Sequence, residues 1–297
     1  MRMVKRISLF IAVNLLILVT LSITLNILGI RPYLSARGLD YQALMMFCLV
    51  WGMGGAFISL GLSRIMAKWM MGVKVIDPRT GEPELARLVQ TVHRLAQAAN
   101  LPKMPEVGYY DSPEVNAFAT GPTKSRALVA VSAGLLESLD WEQLEGVLGH
   151  EIAHIANGDM VSMTLLQGVI NAFVMFLARV ISFFIANRGR DENSSVAPSF
   201  LLTMLLEIVF SALGMIVVAA FSRRREFRAD AGSAGLAGRE KMISALEALK
   251  QSLPYADLTG KRAVATLKIS GKSGGFMSLF ATHPPLDERI ARLKELR

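Results

Sequence analysis

The stretch that decides the fold is WEQLEGVLGHEIAHIANGDM, residues 141–160. Asp140 stands directly before it as a helix N-cap, and no proline interrupts it. The apolar stretch 160–187 follows at once and is long enough to span a bilayer. We therefore predict one helix that begins at Trp141 and continues without a break into a membrane-spanning segment.

The segment His150-Glu151-Ile152-Ala153-His154 within this helix follows the pattern H-E-x-x-H. Residues four apart share a helix face, so both imidazoles can bind one Zn²⁺. Glu151 stands beside the first of them, where its carboxylate can take a proton from a water molecule that the zinc acidifies. The alternative is two ordinary histidines on an amphipathic helix that bind no metal. With four histidines in the chain, however, the expected number of chance occurrences of this pattern is only roughly 0.004. The sequence predicts a catalytic zinc site.

A catalytic zinc site needs a third protein ligand. Metzincins place a histidine six residues after the second one, and a methionine occupies that position here, which excludes that class. Asp159, His283 and a downstream glutamate remain as candidates. Glu226 lies in SRRREFRAD, residues 222–230, with Asp230 one helical turn later. The same spacing also fits a basic helix at the membrane edge whose charges pair four residues apart.

Four apolar stretches reach the length of about 20 residues that a membrane helix needs. Their bounds are 7–28, 41–63, 160–187 and 199–221. The first follows basic residues, as a signal peptide does, but it exceeds the roughly 7–15 apolar residues of such a peptide. We predict an uncleaved anchor and about four spans. Two spans, with the last two stretches lying in the membrane interface, are the alternative.

The last two stretches carry one charge each, Arg179 and Glu207. Both lie eight residues from the turn that joins the stretches, and so at the same depth of roughly 12 Å. Charges inside a membrane segment usually face other helices and pair. We hypothesise an ion pair between them. An Arg179 side chain that extends outward to the membrane surface is the alternative.

Composition and charge agree with a membrane protein. Hydrophobic residues make up 52% of the chain and charged residues 19%, which is below the roughly 25% of soluble domains and unlike a disordered chain. With this apolar content, a net charge of +8 indicates cationic flanks of membrane helices rather than a nucleic-acid binder. Because Cys48 is the single cysteine, an intrachain disulfide and a cysteine-based zinc site are excluded.

Lysine and arginine cluster beside the ends of the spans, which predicts that the N-terminus and both polar blocks are cytosolic. We predict four parts: a membrane hairpin 1–63, the first half of a catalytic domain 64–159, a second hairpin 160–221 and the second half 222–297. The expected fold class is α+β and mostly helical. Its predicted elements are strands 107–110, 115–121 and 127–132, helices 84–99, 223–236, 239–252 and one after Pro285, and a loop 255–275.

Four motifs, in this order along the chain with the apolar stretches between them, resemble those of the HtpX-type membrane zinc metalloproteases. They are VNAFATG at 115–121, HEIAH at 150–154, SRRREFRAD at 222–230 and THPPL at 282–286. These proteases are heat-shock quality-control enzymes of the bacterial inner membrane and relatives of the CAAX prenyl protease. The resemblance covers essentially the whole chain. It implies one Zn²⁺ per chain in a gluzincin-type site held by His150, His154 and Glu226, with Asp230 hydrogen-bonded in support.

The resemblance also implies how substrate is bound and what the substrate is. Asn116, Ala117, Phe118 and Ala119 are similar to the edge strand that holds peptide substrate in gluzincins, which is compatible with a buried Phe118. The implied substrates are misfolded or damaged membrane proteins, cleaved on the cytosolic side. The implied partners are the lipid bilayer and other membrane quality-control proteases, with no nucleic acid.

Two residues near the C-terminus have open roles. His283 precedes two prolines and could donate a hydrogen bond to the oxyanion of a tetrahedral intermediate, or it could cap the last helix from the surface. Arg289 could orient or accompany it there.

Two other classes of function compete with the protease. A zinc sensor or transporter could use the same histidine pair, but it needs polar ligands within its spans and has no use for Glu151. A membrane scaffold whose basic face binds anionic lipid leaves the H-E-x-x-H motif unexplained. The expected function is therefore that of a zinc metalloendopeptidase.

Overall fold

The structure, a computed structural model, describes residues 34–35, 38–188, 200–258 and 276–296 and four positions between 19 and 27. Its helices are α1 Tyr41–Met70, α2 Pro83–Ala98, α3 Ala133–Ser138, α4 Trp141–Asn157, α5 Asp159–Asn187, α6 Phe200–Leu236, α7 Arg239–Leu258 and α8 Leu286–Glu295. Its strands are β1 Leu34–Ser35, β2 Gly38–Leu39, β3 Lys74–Val75, β4 Glu106–Tyr110, β5 Ala117–Thr120 and β6 Leu128–Ser132. The predicted α+β, mostly helical fold class is confirmed.

Three helices of the described part are long and apolar enough to cross a membrane: α1, α5 and α6. They contain the predicted spans 41–63 and 160–187 and nearly all of 199–221. The predicted span 7–28 lies outside the described residues except for four helical positions, so the count of about four spans stays a prediction. The predicted helix 223–236 is not a separate element, because no glycine or proline interrupts α6 where the apolar stretch ends.

The chain divides into two compact units. We call residues 1–60 and 163–218 the apolar unit, and residues 61–162 and 219–297 the polar unit. The apolar unit has a small core in which Leu44 and Cys48 of α1 pack with Ala172 of α5. The two helices approach closely at Gly52, where a Cβ atom would lie 2.6 Å from the backbone nitrogen of Ala172. Small residues thus bring two candidate membrane helices together.

The charges carried by the last two apolar stretches, Arg179 and Glu207, are in contact, as hypothesised. Nη1 of Arg179 on α5 donates to Oε1 of Glu207 on α6 over 2.5 Å, and also to the carbonyl oxygen of Met175 over 3.0 Å. Between the same two helices, the Thr203 hydroxyl donates to the Ser182 hydroxyl over 2.9 Å. Such polar contacts replace hydration that a bilayer cannot supply.

The polar unit is built on a four-stranded sheet of order β3-β4-β6-β5, in which β4 and β6 are parallel and the other pairs antiparallel. The three predicted strands are confirmed within one to two residues at each end. The two-residue β3 was missed, because so short a strand carries no periodic signal. The main core lies between the sheet and helices α2, α3, α4 and α7. Its fully buried side chains include Leu88, Val92, Leu95, Val129, Val131, Leu148 and Ile152.

Helix α4 begins as predicted but ends earlier. Oδ1 of Asp140 accepts the backbone N–H groups of Glu142 and Gln143, and the Gln143 side chain accepts the backbone N–H of Asp140 in return. The prediction of one helix running unbroken from 141 into the apolar stretch is wrong. Gly158 adopts a φ of 71°, a left-handed conformation that glycine adopts without strain, and it ends α4. Asp159 then begins α5 as a new helix.

Candidate metal centre

Three side chains of the polar unit converge on one point. The Nε2 atoms of His150 and His154 lie 3.0 Å apart, and each lies 3.4 Å from an oxygen of Glu226. Ligand atoms around a tetrahedral zinc ion with bonds of about 2.0–2.1 Å would be separated by about 3.3 Å. The observed spacing and the donor set of two imidazoles and a carboxylate therefore fit zinc.

Two helices with small residues at their contact bring these side chains together. The histidines lie four residues apart on α4, and Glu226 lies on α6, in its polar part. A Cβ atom at Gly232 of α6 would lie 2.6 Å from Cβ of Ala153 on α4, and one at Gly149 of α4 would lie 2.8 Å from the Ser233 hydroxyl. The Ser233 hydroxyl also donates to the carbonyl oxygen of Gly146 over 2.7 Å. The close approach of the two helices sets the distance from the histidines to Glu226.

The Nδ1 side of the His150 ring contacts a buried ion pair formed by Asp230 and Arg289. Its Nδ1 lies 2.9 Å from Oδ1 of Asp230, one turn after Glu226 on α6. Arg289 of α8 is 3% exposed, and its Nε and Nη2 donate to the two oxygens of Asp230 over 2.8 and 2.6 Å. This geometry matches the predicted support by Asp230. It also directs Arg289 at Asp230, so the structure favours a positioning role for Arg289 over the predicted role at the oxyanion.

The charges of this cluster shift one another's ionisation. Burial opposes the charged form of Asp230, but Arg289 outweighs it and lowers the pKa of Asp230 to about 2. Burial likewise opposes the charged form of His150, whereas its contacts with Asp230 and Glu226 raise its pKa to about 9. The pKa of Glu226 is lowered despite burial by the three histidines around it, the third being His283. Glu226 is thus an ionised carboxylate, as a metal ligand must be.

Asp159 is the buried hydrogen-bond partner of His154. Asp159 was one of three open candidates for the third metal ligand, but it lies on the other side of the imidazole. The Nδ1–H of His154 donates to Oδ2 of Asp159 over 2.6 Å, and Asp159 is 2% exposed. The glycine directly before Asp159 was the available sequence signal, because it marks a turn in the chain there.

The three converging side chains line a cavity of about 210 Å³. The cavity wall contains Glu151 as well as the three converging side chains, and it contains all the residues predicted to bind substrate. These are Asn116, Ala117, Phe118 and Ala119. His283 and Arg289, the two candidates for a role at the oxyanion, also line the cavity, together with Asp159, Arg225 and apolar side chains of α3, α4, α5 and α7. Residues from four separate parts of the sequence therefore share one cavity.

The predicted substrate strand is at the edge of the sheet. Within the described part of the chain, β5 pairs only with β6, so its other side is open to a further strand. Asn116 just before it is buried, and its amide nitrogen donates to the Tyr110 hydroxyl over 3.0 Å. Phe118 packs beside the same Tyr110 ring, with the ring centroids 5.8 Å apart. The Asn116 amide nitrogen is thus engaged within the protein, whereas the second edge of β5 has no strand partner among the described residues.

His283 lies against Glu226, one of the three converging side chains. Its Nδ1 is 2.9 Å from Oε2 of Glu226, although the two groups are not aligned as a hydrogen bond. Nη1 of Arg223 donates to the carbonyl oxygens of Leu279 and Ala281 over 3.2 and 2.7 Å and so holds the segment that precedes His283. The alternative role as a helix cap is wrong, since Pro285 occupies the N-cap of α8 and no side chain caps it.

Comparisons with known proteins find similar sequences and a similar fold along most of the chain. The family model described as "Peptidase family M48" matches residues 83–297. The "Protease HtpX homolog" of Bacillus velezensis is 52% identical and that of Bacillus subtilis 53%, and each alignment covers 98% of this chain and 99% of the relative. The crystal structure of S. mikatae Ste24p superimposes with a TM-score of 0.65 at 19% identity. That alignment covers 98% of this chain but 64% of the Ste24p chain, and it shows the fold alone.

Proposed function

Since the chain belongs to peptidase family M48 and is a membrane metalloprotease, we propose that it is a zinc-dependent endopeptidase of the bacterial inner membrane. Its substrates in this proposal are misfolded or damaged membrane proteins, whose peptide bonds it hydrolyses on the cytosolic side. One observation carries the proposal: His150, His154 and Glu226 converge in a cavity that Glu151 also lines.

The ligands in the proposal are His150, His154 and Glu226, one zinc ion per chain. Zinc held by such a set supplies Lewis acidity, which acidifies a water molecule and polarises a carbonyl group. Glu151 follows the first ligand on the same helix and is only partly buried, so its carboxylate can take the proton of the attacking water and return it to the leaving amine.

The peptide would lie along the open edge of β5, where backbone groups of 117–119 hold it extended beside the zinc helix. His283 lines the same cavity, and in this proposal it donates to the oxygen that gains negative charge. In this proposal Asp230 and Arg289 hold the imidazole of His150 in place.

The charges beside the membrane helices support the orientation and the partners. Arg64 and Lys68 lie near the end of α1, and Arg223, Arg224 and Arg225 follow the apolar stretch of α6. By the positive-inside rule these ends, and the polar unit that contains them, are cytosolic. The bilayer and other membrane quality-control proteases are then the partners, and the protein acts in the stress response in this proposal.

The test is the variant Glu151→Gln, which keeps the size and polarity of the side chain but cannot accept the proton. We expect the variant, purified in detergent, to retain one zinc per chain by metal analysis and to cleave casein or a misfolded membrane protein about 10²–10⁴-fold more slowly. Glu142→Gln, on the exposed face of the same helix, is the matched control and should remain active.

Each outcome of this experiment discriminates. Cleavage retained in Glu151→Gln would overturn the assignment of the general base. A wild-type protein that binds zinc but cleaves nothing would favour a sensor or transporter, and a protein that binds no zinc would overturn the site.

A further inference from the structure

Asp159 is a buried carboxylate in contact with His154, one of the proposed zinc ligands. The mechanism proposed above gives this contact no role. We propose that Asp159 is a positioning residue that holds the His154 imidazole so that Nε2 faces Glu226, and thereby raises the affinity of the centre for zinc. The inference rests on the proposed function. It adds a residue outside the four motifs that carry the family resemblance.

The geometry at His154 separates the two ring nitrogens by role. Nε2 faces Nε2 of His150 at 3.0 Å and an oxygen of Glu226 at 3.4 Å. Nδ1, on the other side of the ring, donates to Oδ2 of Asp159 over 2.6 Å. A carboxylate at Nδ1 keeps the proton on Nδ1 and leaves the lone pair of Nε2 free for a metal. It also makes Nε2 a better electron-pair donor to that metal.

A left-handed glycine brings Asp159 to this position. If α4 continued as a regular helix, residue 159 would be rotated by about 140° from His154 around the helix axis and would face away from it. Gly158, with a φ of 71°, ends α4 and lets the chain return toward the imidazole. The break in the helix is therefore part of the metal centre.

The second oxygen of Asp159 is held less firmly. Oδ1 lies 3.7 Å from Nη2 of Arg228, a side chain that is 58% exposed, and it has no hydrogen-bond partner within the described residues. By contrast, both oxygens of Asp230 are bound by the buried Arg289. The main contact of Asp159 is thus His154, so its removal should affect the metal centre more than the packing of the polar unit.

The experiment compares Asp159→Ala with Asp159→Asn in the full-length protein in detergent. Zinc affinity is measured by competition with a chromophoric chelator, and the Co²⁺-substituted protein reports the ligand geometry by its visible absorption. We expect a 10–100-fold higher zinc dissociation constant and a changed Co²⁺ spectrum for Asp159→Ala. Asp159→Asn should lose less affinity, because its amide oxygen can still accept the proton of Nδ1. Asp111→Asn, at an exposed position, is the control.

The thermal stability of the zinc-free proteins completes the test. Nearly equal melting temperatures for the zinc-free wild type and Asp159→Asn, with weaker zinc binding of the variant, support a positioning role. Unchanged zinc affinity and an unchanged Co²⁺ spectrum in both variants would overturn it. It would also be overturned if the zinc-free variants were destabilised enough to account for all of their weaker zinc binding. If the wild type itself binds no zinc, the proposed function fails. If the wild type binds zinc, and Asp159→Asn and Asp159→Ala bind it with the same affinity as the wild type, this inference fails while the proposed function stands.

Discussion

Replacing Gly232 with alanine tests whether close helix packing sets the geometry of the metal centre. The new Cβ atom would lie 2.6 Å from Cβ of Ala153, at least 0.8 Å short of an ordinary contact of 3.4 Å. Helices α4 and α6 must therefore separate or shift by nearly that amount. Because Ala153 directly precedes His154 and Glu226 lies on the other helix, the shift would change the spacing of the proposed zinc ligands.

The size of the effect follows from two opposing contributions. Alanine in place of glycine inside a helix stabilises it by about 0.5–1 kcal/mol, and overpacking a tight contact costs about 1–3 kcal/mol. Gly235 lies on the same helix, and a Cβ atom added there would have no other atom within 4 Å. Gly235→Ala should therefore show only the gain in helix stability. We expect Gly232→Ala to be less stable than Gly235→Ala by about 1–3 kcal/mol.

The assay is thermal and urea unfolding of both variants in the same detergent, together with zinc content and cleavage rate. A displacement near 1 Å at a catalytic centre can lower the rate about 10²-fold. The added variant Ala153→Gly should restore part of the stability of Gly232→Ala, because it removes the atom with which the new Cβ collides. If Gly232→Ala is as stable, zinc-loaded and active as Gly235→Ala, the reasoning that the helix contact sets the ligand spacing is refuted.

Two further predictions concern charges. Substituting Arg179 and Glu207 singly and together should give a non-additive loss of folded yield in detergent, since a single substitution leaves the other charge without its opposite charge in an apolar setting; additive losses would contradict the ion pair. Burial opposes ionisation of Glu145, but its contacts with Arg94 and Lys241 outweigh burial and lower its pKa below the ordinary value of 4.5. The ionised Glu145 therefore contributes its full stabilisation above pH 4.5, and this stabilisation is lost as the pH falls below 4.5. Melting temperatures of Glu145→Gln should therefore fall less than wild-type values as the pH is lowered below 4.5; equal slopes in that range would contradict this.

Local patterns accounted for much of this protein. The helix that carries His150 and His154 was predictable because a four-residue spacing on a helix places two side chains on one face whatever surrounds them. Its start at Asp140 was predictable because a capping box is formed by neighbouring residues alone. The long apolar helices followed from length and composition, which a bilayer constrains strongly. The paired Arg179 and Glu207 followed from equal depth in two adjacent helices.

The left-handed Gly158 marks where local reasoning failed. An uninterrupted pattern from Trp141 onward predicted a continuous helix, yet a glycine between two polar residues was enough to end it. The contact of Asp159 with His154 then depended on the direction that the chain takes after the break, which a helical pattern does not specify.

The sequence by itself determined the chemistry that is available: two histidines on one helix face, a glutamate between them, and apolar segments that need a membrane. Only the tertiary structure decided which distant residues complete the centre. Glu226, Asp230 and Arg289 reach His150 because α4, α6 and α8 pack closely, and that packing depends on the fit of side chains from distant parts of the chain. The physical reason is that helix periodicity and capping act over a few residues, whereas ligand distances are set by contacts between helices.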